Sequence, residues 1–236
     1  MAMILNIETS TEVCSVSLAK DGETLFLKES TEGMNHSRLL TVFIEQLFSE
    51  NKFEIQSLDA VAVSKGPGSY TGLRIGVSVA KGLCYGLGIP LISVSSLESM
   101  GIYTALNRAQ FGQEKPEDEL LFCPMIDARR MEVYTALYNT AGEEIKPITA
   151  EIITEDFLSA ELGKNRILFF GNGAAKCKSL LKAQNAVFAG TGATSAVFMQ
   201  ALSEKKYRLQ QFEDVAYFEP FYLKNFVATV PRNKVF

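Results

Sequence analysis

The order of apolar and polar positions in the first half of the chain predicts alternating helices and strands. Over 35–50 an amphipathic helix is predicted, because six apolar residues recur there at helical spacing: Leu39, Leu40, Phe43, Ile44, Leu47 and Phe48. Residues 58–64 are apolar without that period, which indicates a short buried strand. A glycine-rich turn, a helix over 72–88 and a strand over 90–95 follow. This order predicts right-handed parallel crossovers.

Two stretches separated by about half the chain length show the same pattern. Residues 4–23 and 123–143 each contain an apolar strand that ends in a carboxylate, a polar turn, an alternating strand and a glycine turn. The glutamates that follow the two polar turns, Glu12 and Glu132, are 120 positions apart in a chain of 236 residues. Chance similarity of two hairpins is the alternative, but the offset favours an internal duplication.

The rest of the second half repeats the alternation more weakly. Residues 166–170 indicate a strand that leads into a Gly-Asn-Gly turn, and 194–204 indicate a helix. The segment 107–118 is polar, charged and contains a proline, so it marks the boundary between the halves. We therefore predict an α/β fold with two lobes of mixed sheet, residues 1–108 and 119–236. The C-terminal segment has the length to pack back on the first lobe.

Charge and hydropathy exclude two broad classes of function. The chain has 23 Lys and Arg against 27 Asp and Glu, a net charge of −4, which argues against a wide phosphate-binding surface. The stretch 82–97 is uncharged, but it is too short to span a bilayer and is broken by Pro90. Residues 1–11 lack a basic start and an apolar core of signal length. We therefore expect a cytoplasmic protein without membrane association.

Cysteine and histidine usage restricts the metal and redox chemistry. The four cysteines form no C-x-x-C pair, so buried free thiols are expected: Cys14, Cys84, Cys123 and Cys177. His36 is the single histidine, which excludes every metal site that needs two histidine ligands. A G-x-S-x-G nucleophile elbow is also missing, so serine hydrolase chemistry is not supported.

The glycine-rich turn over 66–72 is a candidate phosphate loop. Its spacing is G-x-G-x-x-x-G, which matches neither the dinucleotide-binding pattern nor the P-loop pattern. Backbone N–H groups at the start of the following helix can still hold an anion. A tight strand-to-helix turn that needs glycine for its backbone is the favoured interpretation.

Two carboxylates end corresponding strands of the two halves. If the hairpins of Glu8 and Asp127 face each other across a cleft, the two acids can hold Mg²⁺ through water. Thr9, Ser10 and Thr11 then offer hydroxyl and N–H groups to phosphates. The alternative is a pair of strand ends with solvated acids, and the residues alone do not decide between the two.

The helix over 72–88 carries two unusual stripes. Arg74, Ser78, Lys81 and Tyr85 fall within an arc of about 60°. On another side, a small residue recurs at every fourth position: Gly72, Gly76, Ala80 and Cys84. Such a shallow groove allows the close approach of a helix from a partner protein. Burial by the chain's own first helix is the alternative.

Four motifs carry a resemblance to a known family. They are I-E-T-S-T-E-V-C-S-V-S-L at 7–18, K-G-P-G-S-Y-T-G-L-R-I-G at 65–76, I-D-A-R-R-M-E-V-Y at 126–134 and E-P-F-Y-L-K-N at 219–225. Together they resemble the TsaB (YeaZ) family of tRNA threonylcarbamoyladenosine biosynthesis proteins, which are paralogues of the transferase TsaD. The resemblance implies two duplicated RNase H-like lobes of the actin/Hsp70/sugar-kinase (ASKHA) superfamily.

The resemblance also implies a function. It implies a non-catalytic subunit that forms a heterodimer with TsaD, joined by the ATPase TsaE, and a homodimer when TsaD is absent. The tRNA is then bound only through the complex, and ATP and Mg²⁺ enter at the level of the complex rather than as cofactors of the subunit. TsaD carries a metal-binding H-x-x-x-H, which a chain with one histidine cannot form.

The partner interface implied by the resemblance lies on helices of the first lobe. The residues expected there are Leu39, Phe43, Leu47, Gly72, Gly76, Ala80, Leu83, Cys84 and Leu87. Two other functions remain as alternatives: an ATP-binding kinase or ATPase of the same fold, and a glycoprotease-like metallopeptidase. The missing metal ligands disfavour the metallopeptidase.

Overall fold

A computed structural model describes residues 2–33, 35–111, 120–190 and 194–224. Its strands are β1 (Met3–Glu8), β2 (Cys14–Lys20), β3 (Glu23–Ser30), β4 (Ala60–Gly66), β5 (Leu91–Ser95), β6 (Leu120–Asp127), β7 (Glu132–Tyr138), β8 (Glu144–Ile152), β9 (Arg166–Phe170) and β10 (Ala186–Phe188). Its helices are α1 (His36–Asn51), α2 (Tyr70–Leu87), α3 (Ser96–Leu106), α4 (Ser159–Leu162), α5 (Ala174–Cys177) and α6 (Gln200–Arg208). Short 3-10 turns lie at Ile55–Ser57, Arg108–Phe111 and Ala196–Met199.

The two halves of the chain form two sheets with equivalent topology. The first sheet has the order β3-β2-β1-β4-β5, and the second has the order β10-β9-β6-β7-β8. In each, the first three strands are antiparallel neighbours. The last two strands run parallel to the first strand of their half. The predicted duplication and the α/β class are therefore confirmed.

Local sequence signals explain where the first-lobe helices begin and end. The Ser69 hydroxyl accepts a hydrogen bond from the Gly72 N–H and caps the start of α2. Gly88 takes a left-handed conformation at its end, which glycine adopts without strain. The helix predicted over 194–204 is instead a 3-10 turn followed by α6, because Ser195 caps a tighter first turn.

The last helix of each half packs on the sheet of the other half. Helix α3 packs against β6 and β7, and Gly101 lies so close to the Tyr138 ring that a methyl group there would overlap it. Helix α6 packs on β1 and β5, where Leu202 joins a core with Ile4 and Ala60. Each lobe thus depends on a helix of the other for burial of its inner face.

The C-terminal segment returns to the first lobe. Glu213 pairs with Leu91 on the free edge of β5, and such coverage protects an edge strand from pairing with other chains. The Lys81 ammonium donates to the carbonyl oxygens of Ala216 at 2.9 Å and Phe218 at 3.2 Å. Two parts of the sequence analysis lie outside the described residues. They are Asn225, the last residue of the E-P-F-Y-L-K-N motif, and residues 112–118 of the predicted linker. None of the helices described has the length and apolar character needed to cross a bilayer.

Candidate functional site

The candidate site begins with Glu8, the last residue of β1. Its side chain is fully buried and accepts a hydrogen bond of 2.6 Å from the Ser10 N–H. The Thr9 N–H donates to the Ser64 hydroxyl at the end of β4, at 3.3 Å. The parallel pairing of β1 with β4 brings these groups together at the carboxyl ends of both strands.

Burial raises the pKa of the Glu8 carboxyl above its ordinary value. Hydrogen bonds from Ser10, Ser64 and the Thr9 backbone lower the pKa by a smaller amount. The second carboxyl oxygen of Glu8 has no hydrogen-bond partner. A carboxyl group in this setting favours its neutral form, which is a poor ligand for Mg²⁺.

The glycines at the start of α2 make room for the turn that follows β1. A methyl group at Gly72 would overlap the Thr9 carbonyl oxygen, and one at Gly76 would overlap the Thr9 hydroxyl. At Gly68 it would overlap the Ser10 carbonyl, which accepts a hydrogen bond of 2.6 Å from the Ser69 N–H. The glycine-rich turn is therefore needed for close backbone packing against the turn that follows β1.

The predicted partner groove on α2 requires a correction. Gly72, Gly76, Ala80 and Cys84 are all buried within the chain, and Ala80 is 0% exposed. Gly72 and Gly76 face the Thr9 turn, while Ala80 and Cys84 belong to the core that the first sheet shares with α1. Helical spacing identified a common face but not the surface that covers it.

The other predicted interface residues divide into two groups. Leu47 is fully buried in the core between α1 and the first sheet, so its expected place at a partner surface is also corrected. Four are partly buried and pack against the same core: Leu39, Phe43, Leu83 and Leu87. Those four stay as predicted contacts.

Asp127 occupies the equivalent position in the second lobe but has a different environment. It is exposed and forms an ion pair with Lys176, and its carboxylate accepts a hydrogen bond of 2.8 Å from the Arg129 N–H. Asn172 joins the two hairpins, because its carbonyl accepts from the Asp127 N–H at 3.0 Å while its amide donates to Glu12 at 2.6 Å. The sequence pattern indicated the Gly-Asn-Gly turn, but it did not predict that Asn172 connects the two hairpins.

The residues of the predicted nucleotide site do not fit Mg²⁺ or phosphates in this arrangement. Burial raises the pKa of the Glu8 carboxyl, and the Asp127 carboxylate is paired with Lys176. Thr9, Ser10 and Thr11 are buried, and the Thr11 hydroxyl is bonded to the Thr194 hydroxyl at 2.7 Å. Across the described ranges there is no cluster of three or more His, Cys, Asp or Glu side chains suited to a metal ion.

The cysteines and the histidine have structural environments. All four cysteines are free and buried, and burial raises the pKa of Cys14 and of Cys84 to about 11. Thiols with such a pKa are poor nucleophiles at neutral pH. The buried His36 ring contacts the Val13 carbonyl oxygen through Nε2, at 3.1 Å, which anchors the start of α1 to β2.

The topology and the site define a class of protein. Two duplicated lobes of five-stranded mixed sheet are RNase H-like lobes of the ASKHA type. The structure titled "YeaZ from Pseudomonas aeruginosa" has the same fold, with a TM-score of 0.78 over 94% of this chain and all of that one, at 23% identity. Among the described residues, the turn after Glu8 is buried.

Sequence comparisons give the family. Residues 31–231 match the family model described as "TsaD: tRNA N6-adenosine threonylcarbamoyltransferase". Two relatives are named "tRNA threonylcarbamoyladenosine biosynthesis protein TsaB". The protein of Bacillus subtilis is 33% identical over 76% of this chain and 75% of its own length. That of Haemophilus influenzae is 29% identical over 94% of this chain and 93% of its own. The chain belongs to the TsaB (YeaZ) family of tRNA threonylcarbamoyladenosine biosynthesis proteins.

The buried position of Ala80 leads to a prediction about stability. Ala80→Leu adds bulk to a close-packed core, so we expect the free energy of unfolding to fall by about 1–3 kcal/mol. In a chain of this size that corresponds to a loss of roughly 2–12 °C in Tm, measured by calorimetry. Ser78→Leu, on the exposed side of the same helix, is the control and should leave Tm nearly unchanged. An unaltered Tm for Ala80→Leu would contradict the internal position of the stripe.

The raised pKa of Glu8 predicts a pH-dependent difference between Glu8→Gln and the wild type. The folded wild-type protein keeps a proton that the unfolded chain releases above about pH 4.5. Stability from this group is therefore fully present below that pH. It is lost as pH rises through the folded-state pKa, at about 1.4 kcal/mol per pH unit at most. Glu8→Gln should lack this loss.

Urea unfolding across the acidic to neutral range measures the effect. The stability of Glu8→Gln relative to the wild type should increase as pH rises above 4.5. The control is Glu23→Gln at the exposed start of β3, which measures how the loss of a solvated carboxylate changes the free energy of unfolding. A difference between Glu8→Gln and the wild type that stays constant with pH would rule out a neutral Glu8.

Proposed function

We propose that this protein is a non-catalytic subunit of the complex that forms threonylcarbamoyladenosine in tRNA. It stabilises or activates the TsaD transferase, together with the ATPase TsaE, in the cytoplasm. The observation that carries the proposal is the close packing of the turn after Glu8 on the glycine face of α2, formed by Gly72 and Gly76, which leaves Thr9, Ser10 and Thr11 buried. A protein whose turn after Glu8 is packed in this way is suited to binding other proteins through its surface.

The heterodimer with TsaD is proposed to form on the outer face of α1 and α2. The two helices lie side by side on the first sheet, and four of their partly buried apolar residues are proposed to contact TsaD: Leu39, Phe43, Leu83 and Leu87. Val42 on α1 and Tyr85 on α2 project further, and Tyr85 is 87% exposed. Exposed tyrosines on a rigid helix are frequent centres of binding energy in protein interfaces. When TsaD is absent, the same face supports a homodimer.

Tyr85→Ala tests this interface. Tyr85 is 87% exposed, so we expect the Tm of the isolated chain to stay nearly unchanged. Association with TsaD should weaken by on the order of 30-fold, the cost of truncating a central aromatic residue. Co-purification and calorimetric titration measure the loss. The control is Ile152→Ala, which removes a 70% exposed apolar side chain from the second lobe. If both variants bind TsaD as the wild type does, the proposed face is wrong.

ATP turnover separates the subunit from an active kinase or ATPase of the same fold. The isolated chain with ATP and Mg²⁺ should release no more phosphate than the double variant Glu8→Ala, Asp127→Ala. The physical reason is that Glu8 is buried and Asp127 is engaged by Lys176. Turnover well above the double variant would replace the subunit hypothesis with the kinase or ATPase alternative.

A further inference from the structure

The four sequence motifs meet at one corner of the molecule. The first two are joined by the hydrogen bond from the Ser69 N–H to the Ser10 carbonyl. The C-terminal motif joins the second through the Phe221 N–H, which donates to the Lys65 carbonyl at 2.7 Å. It then reaches the third motif, where Lys224 forms an ion pair with Glu132. The close packing of α2 on the Thr9 turn accounts for the contact between the first two motifs. Neither that packing nor the proposed interface on α1 and α2 accounts for the two contacts that the C-terminal motif makes.

The first half of the corner is an aromatic platform. The Tyr222 ring, 38% exposed, lies against the Tyr70 ring with centroids 5.0 Å apart and planes 37° apart. The Arg74 guanidinium lies 5.3 Å from the centroid of Tyr70 and donates to its hydroxyl at 2.7 Å. The bond from Phe221 to the Lys65 carbonyl fixes the backbone beside Tyr222. The platform is thus held in place before any ligand arrives.

The second half of the corner is a basic hairpin tip. Arg129 and Arg130 form the turn between β6 and β7, with φ values of 73° and 51°, and both are exposed. The acids on either side are already engaged, Asp127 by Lys176 and Glu132 by Lys224. Within the described part of the chain, no carboxylate lies within ion-pair distance of either arginine.

At this corner, guanidinium groups for which the described ranges provide no carboxylate partner occur together with the exposed Tyr222 ring. Arg74 likewise lacks a carboxylate partner among the residues described, so three guanidinium groups stand unneutralised on a chain with a net charge of −4. We define the motif corner as Tyr70, Arg74, Arg129, Arg130, Tyr222 and Lys224. Glu219 is the acid closest to Tyr222 in sequence, and it is exposed.

We propose that the motif corner binds single-stranded or loop RNA. Exposed rings beside unpaired guanidinium groups match the way proteins hold unstacked bases and their phosphates. Tyr and Arg are also frequent in protein interfaces, and Phe221 beside Tyr222 is 43% exposed, so a protein partner is the outcome that the test must separate from RNA. Three unpaired cations make few phosphate contacts, so binding by the isolated chain is weak at physiological salt and adds to that of the complex. Identification of this RNA as the tRNA substrate rests on the proposed function.

Binding of a short fluorescent uridine-rich RNA to the isolated chain at low salt tests the corner without any partner. Arg129→Gln with Arg130→Gln should reduce the slope of log affinity against log salt by about 1.4, since each lost phosphate contact removes roughly 0.7. Tyr222→Leu should weaken binding by on the order of tenfold, whereas Tyr222→Phe should keep it.

The matched charge control removes two lysines at the opposite end of the first sheet. Lys20 ends β2 beside Met3, and Lys52 follows α1. Lys20→Gln with Lys52→Gln should leave the salt slope near that of the wild type. Equal slopes for the arginine and lysine double variants, or no binding of RNA by the wild type, would overturn the proposal.

The assembled complex with TsaD separates this proposal from the proposed function. The arginine double variant should co-purify with TsaD as the wild type does, while tRNA affinity falls. Loss of co-purification with unchanged binding of RNA by the isolated chain would make the corner a protein interface and overturn the proposal. If the wild type itself fails to bind TsaD, the proposed function fails, and the RNA measurement on the isolated chain still decides the corner.

Discussion

The close packing of the Thr9–Ser10 turn on the glycine face of α2 is the contact on which the rest of the first lobe depends. It brings two backbones together at positions where any side chain larger than hydrogen would overlap. It also sets the height of α2 above the sheet, so Ala80 and Cys84 further along the helix become core residues. Glu8 is enclosed by the same contact, which explains its raised pKa.

The internal duplication shows what happens when this contact is absent. In the second lobe the helix equivalent to α2 is α5, which has four residues and cannot clamp a hairpin along its length. Lys176 of α5 instead holds Asp127 from the side. The hairpin tip then stays in solvent and presents two arginines in left-handed backbone, at a cost of roughly 1–2 kcal/mol each. The hairpin turn of the first lobe is therefore buried, whereas the equivalent turn of the second lobe is exposed to solvent.

Sequence patterns predicted the elements better than their surroundings. The duplication, the first-lobe helices and the strand Arg166–Phe170 followed from periodicity and turn residues. The exchange of α3 and α6 between lobes did not, because apolar residues are spread around α3 and so indicate no single buried face. The sequence pattern also did not predict the burial of Glu8, because a carboxylate at the end of a strand shows the same pattern whether it is solvated or buried. The Asn172 bridge depends on long-range geometry that no local motif encodes.

The reciprocal helices also restrict the relative movement of the two lobes. In a two-lobed enzyme that closes on a nucleotide, the lobes must separate, and the contacts between them are small. Here the last helix of each half packs on the sheet of the other half, and hydrogen bonds between Thr11 and Thr194 and from Asn172 to Glu12 connect the lobes. Separation would expose apolar area on both lobes and break these hydrogen bonds. Opening of the two lobes is therefore costly in free energy.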